Sequence, residues 1–328
     1  MKKKVSVLVP VYGVEKYLKV FLDSLCQQTL NDVEFIIVND ASPDGSDEII
    51  RSYIKKDNRI VYINKEINEG LYQARQDAFD IAQGEYVINL DSDDFIGPDF
   101  LSEMYKVAKK DNLEVVVSNV ELVNESGLVI RNTKSKKYDN DIIFSKSNIS
   151  FLLSTPYATW CRLFKRELLV KNDYRYENGE LYLTNFHFLK GVKSGVASKA
   201  VYYYRIRDNS MSSASNSSKK LRKNLSSSSI KLFNKQLKLK GISSEFLKSY
   251  RLFNHLSFTK LSFVSSIYGC DYARFDHLKC TITSEFPISF KNILESKNAM
   301  PRELLLFFFL EKLGLVPLML YLKWRRIR

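Results

Sequence analysis

The stretch VINLDSDDFI, residues 87–96, is an apolar run that ends in three carboxylates, Asp91, Asp93 and Asp94, within four positions. Like charges this close repel each other, so the arrangement costs stability unless a cation or a bound ligand compensates it. The apolar run itself predicts a buried strand. We therefore expect a cation or a ligand at the end of this strand.

The predicted strand belongs to an alternating pattern that fills the first 120 residues. Short β-rich runs at 5–12, 33–40, 59–64, 85–91 and 114–119 alternate with amphipathic stretches at about 15–28, 46–56, 70–83 and 98–110. Strands this continuously apolar need cover on both faces, which predicts an α/β fold with a mostly parallel sheet flanked by helices.

Polar side chains stand at the ends of three of these predicted strands. Tyr12 follows the first strand, Asp40 follows the second, and the carboxylates of 91–94 follow the fourth. Ligands of such sheets bind beyond the carboxyl ends of the strands, so we expect the three ends to converge on one rim. Carboxylates there suit Mg²⁺ or Mn²⁺, which one or two of them would hold together with substrate phosphates. The alternative is a cluster of acids that favours a helix start.

The charge of the chain is unevenly distributed. Residues 1–120 carry 14 Lys and Arg against 21 Asp and Glu, a net charge of −7, whereas residues 121–328 carry 36 against 16, a net charge of +20. A basic half suggests a polyanionic partner, namely nucleic acid, anionic lipid or a phosphorylated glycan, or simply a solvated lysine-rich surface. No nucleic-acid motif is recognisable, so a nucleic-acid partner is not expected.

The four cysteines have no CxxC motif and no metal-ligand spacing. They predict reduced thiols in a cytoplasmic protein.

Four segments together resemble the family 2 glycosyltransferases, which have the Rossmann-like GT-A fold. They are VSVLVPVYGVEKYLKVFLDSLCQQT, VEFIIVNDASPDGSDEII, NEGLYQARQDAFDIAQGEYVINLDSDD and the Arg-Leu-Phe-Lys-Arg stretch after Trp160. The resemblance is strong over residues 4–120 and looser over 150–212. It implies an inverting enzyme that moves a sugar from a nucleotide diphosphate to an acceptor hydroxyl.

The resemblance also implies roles for residues on the nucleoside side of the site. Pro10, Val11 and Tyr12 would line the nucleoside pocket, with the tyrosine ring near the base. Asp40 would accept a hydrogen bond from the base, which favours a uridine nucleotide, and Asp91 would lie near the ribose. The alternatives from the residues alone are a packing aromatic for Tyr12 and a turn-former ahead of residues 42–45 for Asp40.

On the diphosphate side, the resemblance makes Asp93 the metal ligand and includes Ser92 among the nucleotide-binding residues. Asp94 would belong to the donor-sugar side as a catalytic residue. Arg75 would lie near the diphosphate, with a plain helix-surface charge as the alternative. Trp160 would line the acceptor side, where an indole face stacks on a sugar, with burial in the core as its alternative.

The general base is where the sequence departs from the family. Relatives carry a Glu-Asp pair where this chain has Thr184 and Asn185, and neither can act as a base at neutral pH. Glu180 is the favoured replacement, with Glu177 and His187 as alternatives. The remaining alternative is a catalytically impaired module that binds sugar nucleotides or serves as a scaffold in polysaccharide assembly.

The domain organisation follows from these patterns. Residues 1–212 form the predicted glycosyltransferase domain, with a nucleotide-binding half at 1–120 and an acceptor half at 121–212. A serine-rich flexible linker is predicted at 213–229, and a basic, amphipathic helical region at 230–328.

The apolar runs within 301–328 are too short to span a bilayer and precede a basic tail. They predict a peripheral anchor at the cytoplasmic face of the membrane, or else a helix docked on the domain. Such an anchor would suit a lipid-linked glycan acceptor in lipopolysaccharide, O-antigen or capsule synthesis.

Overall fold

The computed structural model of the chain describes residues 3–130, 138–144, 158–176, 192–207, 251–252, 255 and 272–285. These residues fall into two units. The sheet unit contains the described residues up to 207, and the carboxyl-terminal unit contains those from 251 onward. The predicted linker at 213–229 and the predicted anchor at 301–328 lie outside the described residues. Among the helices that are described, none has the length and apolar character needed to cross a membrane.

Strands and helices alternate through the first part of the sheet unit, as the sequence predicts. The elements are β1 Val5–Val11, α1 Glu15–Cys26, β2 Val33–Asn39, α2 Ser46–Ile54, β3 Ile60–Asn64, α3 Leu71–Ile81, β4 Tyr86–Asn89, β5 Phe95–Ile96, α4 Phe100–Lys110 and β6 Val115–Val123. Five of the six strands and all four helices match predicted segments. The short strand β5 was not predicted.

The later described elements complete the sheet and add two helices. They are β7 Ile142–Phe144, β8 Arg162–Lys165, α5 Arg166–Lys171 and β9 Ser194–Arg205 in the sheet unit, and α6 Tyr272–Glu285 in the carboxyl-terminal unit.

The described strands form one nine-stranded sheet in the order β3-β2-β1-β4-β8-β6-β9-β5, with β7 beside β9. The strands β3, β2, β1 and β4 are parallel. The short strand β8 enters between β4 and β6 and is antiparallel to both. The α/β fold is thus confirmed, with a sheet that is parallel from β3 to β4 and mixed on the other side.

The three inner strands of the parallel side are buried on both faces. Every residue of β1, β2 and β4 is buried, as expected for strands that helices cover above and below. Helix α1 buries Leu18, Phe21, Leu22 and Leu25, whose spacing places them on one helical face. Each such side chain contributes about 1.5–3 kcal/mol when fully buried. The strand ends therefore project from a well-packed base.

Candidate active site at the strand ends

The predicted rim is present at the carboxyl ends of three adjacent parallel strands. Strand β1 lies between β2 and β4, with Val11 paired to Asn39 and Leu8 paired to Asn89. The segments that follow these strands therefore leave the sheet side by side. They carry Tyr12, Asp40 and the acidic loop, which we define as residues 91–94.

The acidic loop brings three carboxylates together. One oxygen from each of Asp91, Asp93 and Asp94 lies within 4.8 Å of the others. The repulsion inferred from the sequence is therefore real in the fold, and the surroundings of each carboxylate show how it is offset.

Asp94 is the buried member of the cluster, with only 1% of its surface exposed. One carboxylate oxygen accepts a hydrogen bond from the Tyr202 hydroxyl at 2.6 Å, and the other accepts one from the Arg205 backbone N–H at 2.7 Å. Burial, followed by the charges of Asp93 and Asp91, raises the pKa of Asp94 to about 8. Both oxygens thus tie the acidic loop to β9. The predicted catalytic role of Asp94 stays a prediction.

Asp91 is paired with an arginine from helix α3. Its Oδ1 lies 2.6 Å from Nη2 of Arg75, which is 1% exposed and lies within the fold. The alternative of a plain helix-surface charge for Arg75 is therefore wrong. Burial raises the pKa of Asp91, while the charge of Arg75 opposes that rise. The guanidinium is aimed at the cluster, and its predicted place near a diphosphate stays a prediction.

Asp93 is paired with an arginine from the far end of the sheet unit. Its Oδ2 lies 2.6 Å from Nη2 of Arg207, and both side chains remain partly exposed at 18% and 23%. The Asp93 backbone carbonyl accepts a hydrogen bond from Arg205 Nε at 2.8 Å. Asp93 is thus held from both its carboxylate and its backbone.

The Arg205 side chain connects the acidic loop to the segment after β6. It is 4% exposed, its Nη1 donates to the Glu125 carbonyl at 2.6 Å, and its guanidinium lies over the ring of Tyr17 at 5.2 Å. Sequence reasoning missed Arg205, Arg207 and Tyr202. The signal was the run VYYYRIRD, in which tyrosines and arginines recur at the two-residue period of a strand.

The donor set of the acidic loop fits a hard divalent cation. Oδ2 of Asp91 and Oδ1 of Asp93 have no hydrogen-bond partner within the described chain, since the bonds of these carboxylates use their other oxygens. Two carboxylates plus phosphate oxygens form the coordination that Mg²⁺ and Mn²⁺ prefer. By contrast, Asp94 has both oxygens committed to the protein.

Asp40 lies on the same rim in different surroundings. Its two oxygens accept hydrogen bonds from the backbone N–H groups of Glu69 at 3.0 Å and Gly70 at 2.7 Å. Lys65 lies 3.3 Å from the same carboxylate, which is almost fully buried. Gly70 has a φ of +92° at the start of α3, a conformation that glycine adopts without strain. Asp40 therefore anchors the segment between β3 and α3.

The turn after β2 does not depend on Asp40, so the structure gives no support to the turn-former alternative. The turn is held instead by Asn39, whose side-chain oxygen accepts a hydrogen bond from the Ser42 N–H at 3.1 Å. The predicted contact between Asp40 and a nucleotide base stays a prediction.

The remaining residues of the predicted nucleoside pocket follow β1. Pro10 and Val11 are buried strand residues, whereas Tyr12 is 52% exposed. A packing role for Tyr12 is therefore not supported. The Ser92 hydroxyl donates to the Pro10 carbonyl at 2.8 Å, which ties the acidic loop to β1.

Trp160 is half-buried and contacts aromatic residues of the protein itself. Its ring stacks on Tyr202 with centroids 4.4 Å apart, and on Tyr204 with centroids 5.0 Å apart. Tyr202 is also the hydroxyl partner of Asp94. Trp160 is thus connected to the acidic loop through Tyr202, and its predicted acceptor contact stays a prediction.

All the candidate bases named from the sequence lie outside the described residues. They are Glu177, Glu180 and His187, together with Thr184 and Asn185 at the position of the family's Glu-Asp pair. The last described residue before them is Tyr176, whose hydroxyl donates to Asn89 Oδ1 at 2.6 Å and whose N–H donates to Gln76 at 3.0 Å. The chain is thus anchored to the end of β4 and to α3 just before these residues.

Comparison with known proteins places this geometry in context. A family model described as glycosyl transferase family 2 matches residues 6–172. The glycosyltransferase GlyA of Streptococcus pneumoniae is 35% identical over 64% of this chain and 31% of its own length. A poly(ribitol-phosphate) beta-glucosyltransferase of Bacillus spizizenii is 33% identical over 62% of this chain and 32% of its own length.

The chain thus spans about a third of the length of these two curated relatives. Among solved structures, S. aureus TarS 1–349 in complex with UDP-GlcNAc has a TM-score of 0.68 at 22% identity. The match covers 87% of this chain and 82% of that one. It agrees with the α/β fold described above.

Proposed function

Because the chain belongs to glycosyl transferase family 2, we propose that it transfers a sugar from a UDP-sugar to an acceptor hydroxyl during synthesis of a surface polysaccharide. We propose inversion at the sugar carbon, as the sequence resemblance implies. The observation that carries the proposal is the convergence of Asp91, Asp93 and buried Arg75 at the ends of parallel strands.

The nucleoside is proposed to lie over the ends of β1 and β2. The exposed ring of Tyr12 offers a face on which a base can stack. Asp40 is held by its backbone partners. Its Oδ1 also lies 3.3 Å from Lys65, whereas its Oδ2 has a second lone pair that can accept a hydrogen bond from a uracil N–H. S. aureus TarS, which is similar in fold, has been solved in complex with UDP-GlcNAc, and this supports a uridine donor.

The diphosphate is proposed to lie over the acidic loop. When the sugar–phosphate bond breaks, negative charge develops on the diphosphate and positive charge on the sugar ring. Arg75 is aimed at this place and stabilises the phosphate charge, while the nearby carboxylates tolerate the cationic ring. Mn²⁺ or Mg²⁺, held by Asp93 and Asp91, would supply further stabilisation of the leaving group.

The acceptor hydroxyl needs a base, and we propose Glu180 for that role. The anchoring of Tyr176 to Asn89 at the end of β4 supports a base close in sequence to residue 176. Trp160 is proposed to line the acceptor side.

For the acceptor itself, the net charge of +20 over residues 121–328 favours a polyanionic glycan. The B. spizizenii relative is a poly(ribitol-phosphate) beta-glucosyltransferase, which agrees with that choice. We propose that the acceptor is lipid-linked and that residues 301–328 contact the cytoplasmic face of the membrane.

The test is turnover of UDP-sugars with Mn²⁺, measured as release of UDP with and without a phosphorylated polyol acceptor. Asp93→Asn is expected to lower turnover by about a hundredfold or more, the scale of a lost electrostatic stabiliser. Glu180→Gln is expected to lower it by about a hundredfold, the scale of lost general-base help. If Glu180→Gln retains normal turnover while Asp93→Asn does not, Glu180 is not the base, and Glu177→Gln and His187→Asn become the next variants.

A second candidate is a binding module without turnover, favoured by Thr184 and Asn185 at the position of the family's Glu-Asp pair. Such a module binds UDP with Mn²⁺ but releases no UDP from any UDP-sugar. The same assay therefore separates the two candidates.

A further inference from the structure

We propose that Arg207 acts as an internal counter-cation that weakens the binding of free metal at Asp93, so that the metal binds together with a nucleotide diphosphate rather than ahead of it. This inference rests on the proposed function, because it concerns the cation site formed by Asp91 and Asp93.

The first observation is the contact between Arg207 and Asp93. Nη2 of Arg207 lies 2.6 Å from Oδ2 of Asp93, and both side chains are mostly shielded from solvent. A charge-assisted hydrogen bond of this kind is short and strong. Asp93, the carboxylate that is predicted to hold the cation, therefore already has a positive partner.

The second observation concerns how Arg207 is held. Its guanidinium lies 5.3 Å from the centre of the Tyr17 ring, and its Nε is buried without a hydrogen-bond partner among the described residues. Nη2 is thus committed to Asp93, while Nε is left over.

The electrostatic consequence follows from the short distances. A divalent cation on the open Oδ1 of Asp93 would stand a few ångströms from the guanidinium, and two cations so close repel. A cation alone therefore binds against this repulsion. When the cation arrives together with a diphosphate, the negative oxygens of the diphosphate compensate the charges of both the cation and the Arg207 guanidinium.

Arg75 differs from Arg207 in its burial and in the carboxylate with which it pairs. It is paired with Asp91 from within a helix and is fully buried, so it belongs to the fixed framework of the site. Arg207 lies two residues beyond the end of β9 and pairs with the residue whose oxygen faces the proposed cation. The coupling between metal and nucleotide is thus assigned to Arg207.

The experiment measures Mn²⁺ binding to the full chain by electron paramagnetic resonance, first without nucleotide. Arg207→Gln is expected to bind Mn²⁺ about tenfold more tightly than the unaltered protein, the scale of one charged hydrogen bond. Arg207→Lys retains the charge and is expected to stay near the unaltered affinity, which separates charge from packing. Arg175→Gln is the matched control, because it removes the same charge from an exposed pair with Asp80.

The titration is then repeated with saturating UDP. The factor by which UDP tightens Mn²⁺ binding is expected to be smaller in Arg207→Gln than in the unaltered protein or in Arg175→Gln. An unchanged or weaker Mn²⁺ affinity in Arg207→Gln overturns the inference. If the inference is overturned in this way but Asp93→Asn still abolishes Mn²⁺-dependent UDP binding, the proposed metal site at Asp93 is retained and only the role of Arg207 is rejected. If Asp93→Asn added to Arg207→Gln leaves Mn²⁺ binding intact, the metal does not bind at Asp93, and the proposed function loses its metal site.

Discussion

Aspartates lie at both ends of the rim, but their partners within the protein differ. At the end of β2, Asp40 is surrounded by groups of the protein itself, namely two backbone N–H groups and Lys65. After β4, Asp91 and Asp93 each have one arginine partner and one oxygen without a partner in the described chain.

This difference separates a carboxylate that is surrounded by groups of the protein, and has no room for a cation, from carboxylates that can hold a cation. A buried charge that accepts several hydrogen bonds from the protein stabilises one conformation. A pair of carboxylates 4.8 Å apart or less with open oxygens is a standing electrostatic cost, which a cation relieves. Three variants test the contrast.

The largest effect on stability is expected for Arg75→Met. It removes the buried guanidinium that is paired with Asp91, and it leaves that carboxylate beside Asp93 with the weaker influence of Arg207. We expect the free energy of unfolding to fall by about 3 kcal/mol, as when one partner of a buried pair is lost. Urea unfolding measures the change. Added Mn²⁺ is expected to restore part of the loss, because it supplies positive charge at the same place. No restoration would mean that the cluster holds no cation.

A smaller loss, about 2 kcal/mol, is expected for Asp40→Asn, which weakens the hydrogen bonds to the start of α3 and the pairing with Lys65. The same urea titration serves as the measurement. Mn²⁺ is expected to leave this loss unchanged, because Asp40 already has its partners within the protein. Restoration by Mn²⁺ equal to that of Arg75→Met would remove the distinction between the two ends of the rim.

The smallest effect is expected for Tyr12→Ala. Tyr12 is 52% exposed, so its removal is expected to leave the free energy of unfolding unchanged within about 0.5 kcal/mol. The affinity for UDP is expected to fall by about tenfold, the scale of one lost stacking contact with a base. Calorimetric titration checks the affinity. A tyrosine whose loss changes stability but not UDP affinity would be a packing residue after all.

The sequence predicts the parallel side of the sheet and the position of the rim because those features are local. A buried strand shows a continuous apolar run, and an amphipathic helix shows apolar residues at helical spacing. The carboxyl end of a strand lies where its apolar run stops. The acidic loop followed from VINLDSDDFI alone.

The partners of the acidic loop did not follow, because they come from far along the chain. Arg205 is 112 residues from Asp93. The pattern of residues 201–208 indicates a strand, but it does not indicate the loop beside which that strand will lie. The antiparallel strand β8 between β4 and β6 was also missed. It has only four residues, too few to show a clear pattern, and its partners lie far along the chain.

The burial of Arg75 had a local signal that sequence reasoning did not use. Ala74 and Ala78 are both fully buried on α3, and small residues beside an arginine on a helix indicate that this face packs closely against the fold. The side chain of Arg75 can therefore reach the end of β4 from within the protein.

The most direct test of the account is a calorimetric titration of UDP into the protein with Mn²⁺ present, for the unaltered chain and for Asp93→Asn. The account predicts measurable heat of binding for the unaltered chain, little without Mn²⁺, and an affinity at least about a hundredfold lower for Asp93→Asn. Absence of UDP binding by the folded, Mn²⁺-loaded protein, or equal affinity in Asp93→Asn, would contradict it.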